Sequence, residues 1–251
     1  MILLFDIGNT HTHLGLADKR RVLKQTNIPT KAWLEGAAEK LIKKFIGRAA
    51  ISGAALCSVV PKATPFATRF ALGKFGVHAL VLSPANCGVG IKYPKPNTIG
   101  PDRLANAVAV KHHFGAPAVV VDFGTAVTFD VVDRTGNYVG GIIAPGLAAM
   151  TEYLHEKTAL LPKIKIREVK AVVGKNTEEA MLIGAVHGYR GLIRGLIDEL
   201  KGELRARKLP VVATGGYARL IAAKMPEISA VDPLLTLEGL RLVWEGTLHD
   251  T

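Results

Sequence analysis

The sequence predicts an α/β protein built from two similar halves, and three observations carry that expectation. An apolar strand ending in Asp-x-Gly occurs twice, as Leu3-Leu4-Phe5-Asp6-Ile7-Gly8-Asn9-Thr10 and as Val119-Val120-Val121-Asp122-Phe123-Gly124-Thr125-Ala126. Each copy continues in the same order, with a strand, a charged turn and another strand, which fits a three-strand meander. Around the meanders lie segments whose apolar residues recur at spacings of three and four, the period of an amphipathic helix. The division expected from this repeat falls at residues 1–114 and 115–251.

In the first half, the second and third strands are His13-Leu14-Gly15-Leu16-Ala17 and Val22 to Ile28, joined by Asp18-Lys19-Arg20-Arg21. Gly8-Asn9 reads as a hairpin turn, which leaves the matched aspartates unexplained. A carboxylate at a strand tip, next to a glycine that lets backbone N–H groups approach closely, suits a phosphate or metal-phosphate contact. Two such tips suggest a nucleotide in the cleft between duplicated halves. Trp33, Ala37, Leu41, Ile42 and Phe45 then predict one helix over residues 31–46. A strand over 50–59, a helix over 64–75 and a strand over 77–82 follow. Residues 83–101 carry Pro84, Gly88, Gly90, Pro94, Pro96, Gly100 and Pro101, which break any period. Ile91 and Tyr93 anchor this stretch, so it is read as an ordered substrate loop. Pro101 suits the first position of a helix, with Asp102 and Arg103 in its first turn. Alone, Asp102 complements the helix dipole, which favours its ionised form. The loop before it raises the pair to a candidate site.

In the second half, Val127 to Val132 and Tyr138 to Ile143 complete the meander, and Gly146 precedes a helix from Leu147 to about Thr158. Lys163, Lys165 and Arg167 alternate as in a strand. Thr177 suits the N-cap of a long helix reaching about Arg207. Gly184, Gly188, Gly191 and Gly195 mark a face able to pack closely on another helix, within the chain or across a dimer. Arg205, Arg207 and Lys208 would close that helix. Val211 to Ala213, Thr214-Gly215-Gly216 and Tyr217-Ala218 read as strand, glycine loop and helix. The loop is either an ordinary tight turn or an adenosine contact. A closing helix spans 235–245.

Composition narrows the function classes. A net charge of +11 raises the question of a polyanionic partner. The basic residues, however, fall on scattered turns and helix faces, and aromatics make up only 6% of the chain. A nucleic-acid site is therefore not expected, while an anionic small substrate and ATP are favoured. No apolar run approaches a membrane span, and no basic segment precedes Met1 to Phe5 as in a secretory signal. Cys57 and Cys87, the two cysteines, predict buried thiols in a reducing cytoplasm. His11, His13, His112 and His113 lack a correctly spaced third ligand and read as surface or structural residues, His11 with a backbone role in the phosphate loop. The Gly-x4-Gly-Lys-Ser/Thr pattern is absent, which disfavours a P-loop kinase.

Asp6-x-Gly8-Asn9-Thr10, Gly100-Pro101-Asp102-Arg103, Asp122-Phe123-Gly124-Thr125-Ala126, Gly140-Gly141-x-Ile143-x-Pro145-Gly146, Thr158-Ala159-x-Leu161-Pro162 and Thr214-Gly215-Gly216 follow one another as in the type III pantothenate kinases. The resemblance runs from Ile2 to Leu240. It implies two ribonuclease H-like subdomains with mixed sheets flanked by helices, an active site in the cleft between them, and a homodimer. It also implies transfer of the ATP γ-phosphoryl group to pantothenate, the first step of coenzyme A synthesis. By resemblance, Asp6, Ile7, Gly8, Asn9, Thr10, His11, Thr12 and His13 form the ATP phosphate loop, with Asp6 holding Mg²⁺ through water, and Thr125 also touches ATP. Asp122 would bind a monovalent cation, K⁺ or NH₄⁺. Tyr93, Gly100, Pro101, Asp102 and Arg103 would frame pantothenate, with Asp102 as proton acceptor and Thr177 as a further substrate contact. Lys95-Pro96 stands where the family commonly has Asn-Pro, and Pro101 where it has alanine. Two alternatives are a non-catalytic transcription accessory protein of the same fold and a kinase for another small alcohol.

Overall fold

The computed structural model describes residues 1–247, which form two compact units. The first comprises 1–113, Asn137–Val139 and the chain from Leu234 onward; the second comprises 114–136 and 140–233.

In the first unit, β1 (Ile2–Ile7), β2 (His11–Ala17) and β3 (Val22–Pro29) form the expected meander. They are followed by α1 (Lys31–Leu34), α2 (Ala38–Ile46), β4 (Gly53–Ser58), α3 (Thr64–Phe75), β5 (Ala79–Val81), β6 (Gly90–Ile91) and α4 (Pro101–Phe114). The sheet order is β3-β2-β1-β4-β5, with β1 antiparallel to β2 and parallel to β4. Every residue of β1 is buried except Asp6, which is half-buried. On one face, Leu3, Phe5 and Ile7 join Trp33, Ile42 and Leu56 in a single apolar cluster. Phe5 and Trp33 meet edge to face at 5.9 Å between centroids. The helix expected over 31–46 is two helices, because the chain turns at Gly36, where φ is +74°, and restarts at Ala38.

The second unit repeats this plan. It holds β7 (Ala118–Phe123), β8 (Ala126–Val132), β9 (Asn137–Pro145), α5 (Leu147–Lys157), α6 (Thr177–Ile183), α7 (Tyr189–Glu203), β10 (Val211–Thr214), α8 (Ala218–Ala222) and β11 (Ala230–Val231). Its strands run β9-β8-β7-β10-β11, the same order as the first sheet, and β7 has the same burial pattern as β1. The first residues of β9 belong to the first unit, where Asn137 and Tyr138 pair with Gly90 and Ile91 of β6. The closing helix α9 (Leu235–Thr247) also packs in the first unit, on β1, β2 and β4, although the division at 114/115 assigns it to the second half. There Arg241 Nε donates to Glu238 Oε2 at 2.7 Å, and Glu238 Oε1 accepts from Val22 N at 2.6 Å, tying the helix to the β2–β3 turn.

Four local expectations of the second half change. The Lys163–Arg167 segment is not a strand, because the strap that carries it is fastened to helix side chains rather than to a strand edge. Buried Arg190 bonds Glu168 at 3.1 and 2.6 Å together with the Leu220 and Ile221 carbonyls, and His187 Nε2 lies 2.9 Å from Val169 O. The long helix is interrupted by a π-turn at Gly184–Gly188 and ends at Glu203, so Arg205, Arg207 and Lys208 lie beyond it. Its N-cap is Asn176, whose Oδ1 accepts from Glu179 N at 2.9 Å; Thr177 is the first helical residue. A Cβ on Gly184, Gly188, Gly191 or Gly195 would meet no described atom of another element within 4 Å, so among the described residues no other helix packs against these four glycines. Among the described residues no helix is long and apolar enough to cross a membrane.

Candidate active site

Strand register builds the site of the first unit. Asp6 sits at the carboxyl end of β1, opposite His13 on β2 and Cys57 on β4. The Cys57 thiol donates to Asp6 Oδ1 at 3.4 Å. Burial, and then the negative charge of Asp102, push the Asp6 carboxyl up to about 7, while the thiol contact acts in the opposite direction. Cys57 itself is buried and its pKa is raised by the same surroundings.

Asp102 lies in the first turn of α4 and accepts from Arg103 N at 2.9 Å. The dipole expectation is not met: burial raises its pKa and outweighs the Arg103 amide and guanidinium, which lower it. A Cβ on Gly100 would meet the Asp102 carboxylate oxygen, so a side chain there would displace that carboxylate. Pro101 opens the helix as expected. The Arg103 guanidinium lies 5.9 Å from the Tyr138 ring centroid, and Tyr138 meets Tyr93 edge to face at 6.4 Å. Tyr93, Arg103 and Tyr138 thus form one cluster beside the α4 start.

The residues of the first hairpin are not equivalent. Ile7 and Thr12 are fully buried, so neither side chain is free to touch a ligand. Asn9, Thr10 and His11 are exposed at the tip, and Gly8 N donates to His11 O at 3.0 Å. His13 Nδ1 lies 2.8 Å from Asn27 Oδ1, and burial lowers its pKa. Cys57, Tyr138 and Asn27 were not among the sequence-level site candidates. Their spacing in the chain holds no signal, since each reaches the site only through strand pairing.

In the second unit, Asp122 at the end of β7 stands opposite Thr128 on β8 and Thr214 on β10. Gly215 has φ +88°, and a Cβ there would strike the Asp122 carboxylate and the Phe123 backbone. Tyr217 N donates to Phe123 O at 3.3 Å, so the glycine loop lies directly on the Asp122 hairpin. Thr125 is exposed, and its carbonyl presses against Gly146. Thr177 is exposed at the start of α6. Beyond Tyr217 a cavity of about 350 Å³ opens between α5, at Thr151 and Glu152, and the strap at Lys163–Ile166.

Asp6 fits a divalent cation. It is a carboxylate at a strand tip that feels the charge of a second acid, Asp102, and accepts from the Cys57 thiol. Among the described residues no three His, Cys, Asp or Glu side chains are grouped to hold a metal.

Residues 2–199 match the type III pantothenate kinase family. A type III pantothenate kinase of Methylacidiphilum infernorum is 44% identical over 97% of this chain and 88% of its own length. One from Akkermansia muciniphila is 46% identical over 96% of each chain. Among solved structures, a Campylobacter jejuni protein described as a Baf family transcriptional activator is 19% identical with a TM-score of 0.64, covering 98% of this chain and 99% of that one. A Sinorhizobium meliloti protein described as a 2-dehydro-3-deoxygalactonokinase is 12% identical with a TM-score of 0.59, covering 98% and 99%. These two likenesses establish the fold. Sequence identity sustained over almost the whole length, on a scaffold that places both Asp-x-Gly hairpins and the Gly-Pro-Asp-Arg helix start, makes this chain a member of the type III pantothenate kinase family.

Proposed function

We propose that the protein is an ATP-dependent pantothenate kinase, moving the γ-phosphoryl group of ATP to the primary hydroxyl of pantothenate to give 4'-phosphopantothenate. The observation that carries this reading is the meeting of Asp6 and Asp102 in one unit of a chain of this family. Phosphoryl transfer asks for positioning, charge neutralisation and a late proton acceptor rather than covalent chemistry. The hairpin of Asp6 to His13 binds the ATP phosphates, with Ile7 and Thr12 contributing through the backbone. Mg²⁺, when bound through water at Asp6, neutralises phosphate charge. Asp102 accepts the hydroxyl proton; its raised pKa increases its proton affinity. Arg103, held beside Tyr138, pairs with the pantothenate carboxylate, and Tyr93, Gly100 and Pro101 shape the wall around it.

In the second unit, Asp122 binds a monovalent cation, Thr125 contacts ATP, and the Gly215–Tyr217 turn with its adjoining cavity takes the adenosine. Thr177 contacts substrate. A homodimer is supported by the bare glycine face of the π-turn and α7 and by the exposed Ile143, Tyr153, Leu154, Leu160, Val172 and Val173. The two reduced, buried cysteines support a cytoplasmic setting. A non-catalytic regulator would leave the paired carboxylates without a task.

A coupled assay for ADP release tests the reading. Turnover is expected with pantothenate, Mg²⁺ and K⁺ or NH₄⁺ together, and to fall when any one is omitted. Asp102→Asn is expected to lower kcat by roughly 10²-fold or more with ATP binding retained. Full activity of that variant would remove the proposed base, and turnover only with other alcohols would replace the substrate.

A further inference from the structure

Between the first hairpin and α1 runs a buried line of hydrogen bonds that the reaction scheme does not use. Trp33 Nε1 donates to Thr12 Oγ1 at 3.1 Å, Thr12 Oγ1 and Thr30 Oγ1 are 3.1 Å apart, and Thr30 Oγ1 donates to Gly8 O at 2.7 Å. Trp33, Thr12 and Thr30 are each no more than 3% exposed. The direction of the line is fixed. An indole N–H can only donate, and the single Thr30 proton is engaged by the Gly8 carbonyl, so Thr12 must donate to Thr30. The chain of donors therefore starts at Trp33 and ends on the hairpin.

Thr30 stands at the N-cap of α1, where a threonine oxygen ordinarily accepts from a helix amide. It makes no such bond and spends its proton on a carbonyl 22 residues away. Its own N–H donates to Thr10 O at 3.0 Å, and Gly8 N–H donates to His11 O at 3.0 Å. The carbonyls of Gly8, Thr10 and His11 are all turned to partners inside the unit. That arrangement matters for an anion, because a carbonyl oxygen swung toward a phosphate would repel it.

We propose that Thr30 is a positioning residue for the phosphoryl donor: its relay from Trp33 through Thr12 pins the Gly8 carbonyl inward and keeps the hairpin tip in the form that accepts a triphosphate. This rests on the reading of the hairpin as the ATP phosphate site. A corollary is that Trp33, whose indole heads the relay, reports on the tip.

The test uses full-length protein in which Trp244, the other tryptophan, is replaced by Phe, so that emission comes from Trp33 alone. MgATP is expected to change this emission with saturation. Thr30→Val, which keeps shape and removes the hydroxyl, is expected to raise KM for ATP about tenfold, to leave kcat and KM for pantothenate within about twofold, and to abolish the emission response at ATP concentrations that saturate the parent. Thr30→Ser should restore both. Should Thr30→Val fold poorly, Thr12→Val cuts the relay one step earlier and is expected to raise KM for ATP several-fold. Unchanged KM for ATP in both variants, or a uniform loss of activity that serine does not rescue and that follows a lowered Tm, would overturn the proposal. If the parent itself neither turns over ATP nor responds to it in emission, the phosphate-site reading falls and the relay falls with it. A responsive parent with unresponsive kinetics in the variants removes the relay alone.

Discussion

The two Asp-x-Gly hairpins share a sequence pattern, a strand order and a burial pattern, yet different contacts press on them. The hairpin of Asp6 is held by side-chain hydrogen bonds from Thr30, Thr12 and Trp33, with a thiol on its carboxylate. At the hairpin of Asp122, Gly215 and Gly146 let neighbouring backbone press directly on Asp122, Phe123 and Thr125. Opposite Asp6 stands Cys57, and opposite Asp122 stands Thr214. A duplicated plan therefore fixes where the acids emerge, while the material of the brace is free to differ. Hydroxyl braces are graded and tunable; steric ones are all or nothing.

The contrast is broken hardest at Gly215. Gly215→Ala combines a left-handed φ with a collision against backbone and carboxylate, and is expected to lose about 3 kcal/mol or more of second-unit stability, or to yield no soluble protein, in urea melts. Next comes Arg190→Leu. It takes the main partner from Glu168 and leaves the Leu220 and Ile221 carbonyls without that donor, and is expected to lose about 2–3 kcal/mol. Arg190 and then Lys224 hold the Glu168 carboxyl down to about 2, below its ordinary 4.5. Its contribution is thus present above the unfolded pKa and is lost as pH falls from about 4.5 toward 2. Arg190→Leu should flatten that acid limb of the stability profile, and a limb of unchanged slope would separate the strap from Glu168.

A smaller effect sharpens the thiol side of the comparison. Asp6 must be ionised to attract a cation, and its carboxyl is raised to about 7, so half-saturating Mg²⁺ is expected to rise roughly tenfold between pH 7.5 and pH 6. The thiol contact favours the ionised form. Cys57→Ala should therefore move this midpoint to higher pH and Cys57→Ser should hold it; identical profiles for both, followed by calorimetric titration of Mn²⁺, would free Asp6 from Cys57. Least of all is expected from Gly8→Ala. There a Cβ would sit 3.1 Å from His11 O alone, and a loss under about 1 kcal/mol in the same melts would confirm that the first hairpin is not steric in character.

What could be read before folding was what repeats or alternates. The Asp-x-Gly tips, the meanders and the Pro101 helix start are local patterns, and Thr64–Phe75 appears as a helix with the expected bounds. What could not be read was what depends on pairing across the chain. Cys57 looked like an inert buried thiol because nothing near it in sequence says that β4 aligns it with Asp6. Thr30 gives no signal of its own, since a hydroxyl just before a helix is ambiguous until the partner 22 residues upstream is in place. The strap shows the reverse error. Lys163, Lys165 and Arg167 alternate as in a strand, but alternation supplies no partner edge, and the buried guanidinium of Arg190 claims the segment instead.

The helix Leu235–Thr247 lies against β1, β2 and β4, strands that precede the entire second meander in the chain. Leu237 and Leu240 are buried there, so the apolar surface beneath them stays wet until this helix docks. The unit bearing Asp6 and Asp102 is therefore closed by a segment that follows the whole second unit in the chain, and loss of that helix would open the first unit to proteases while leaving the second covered.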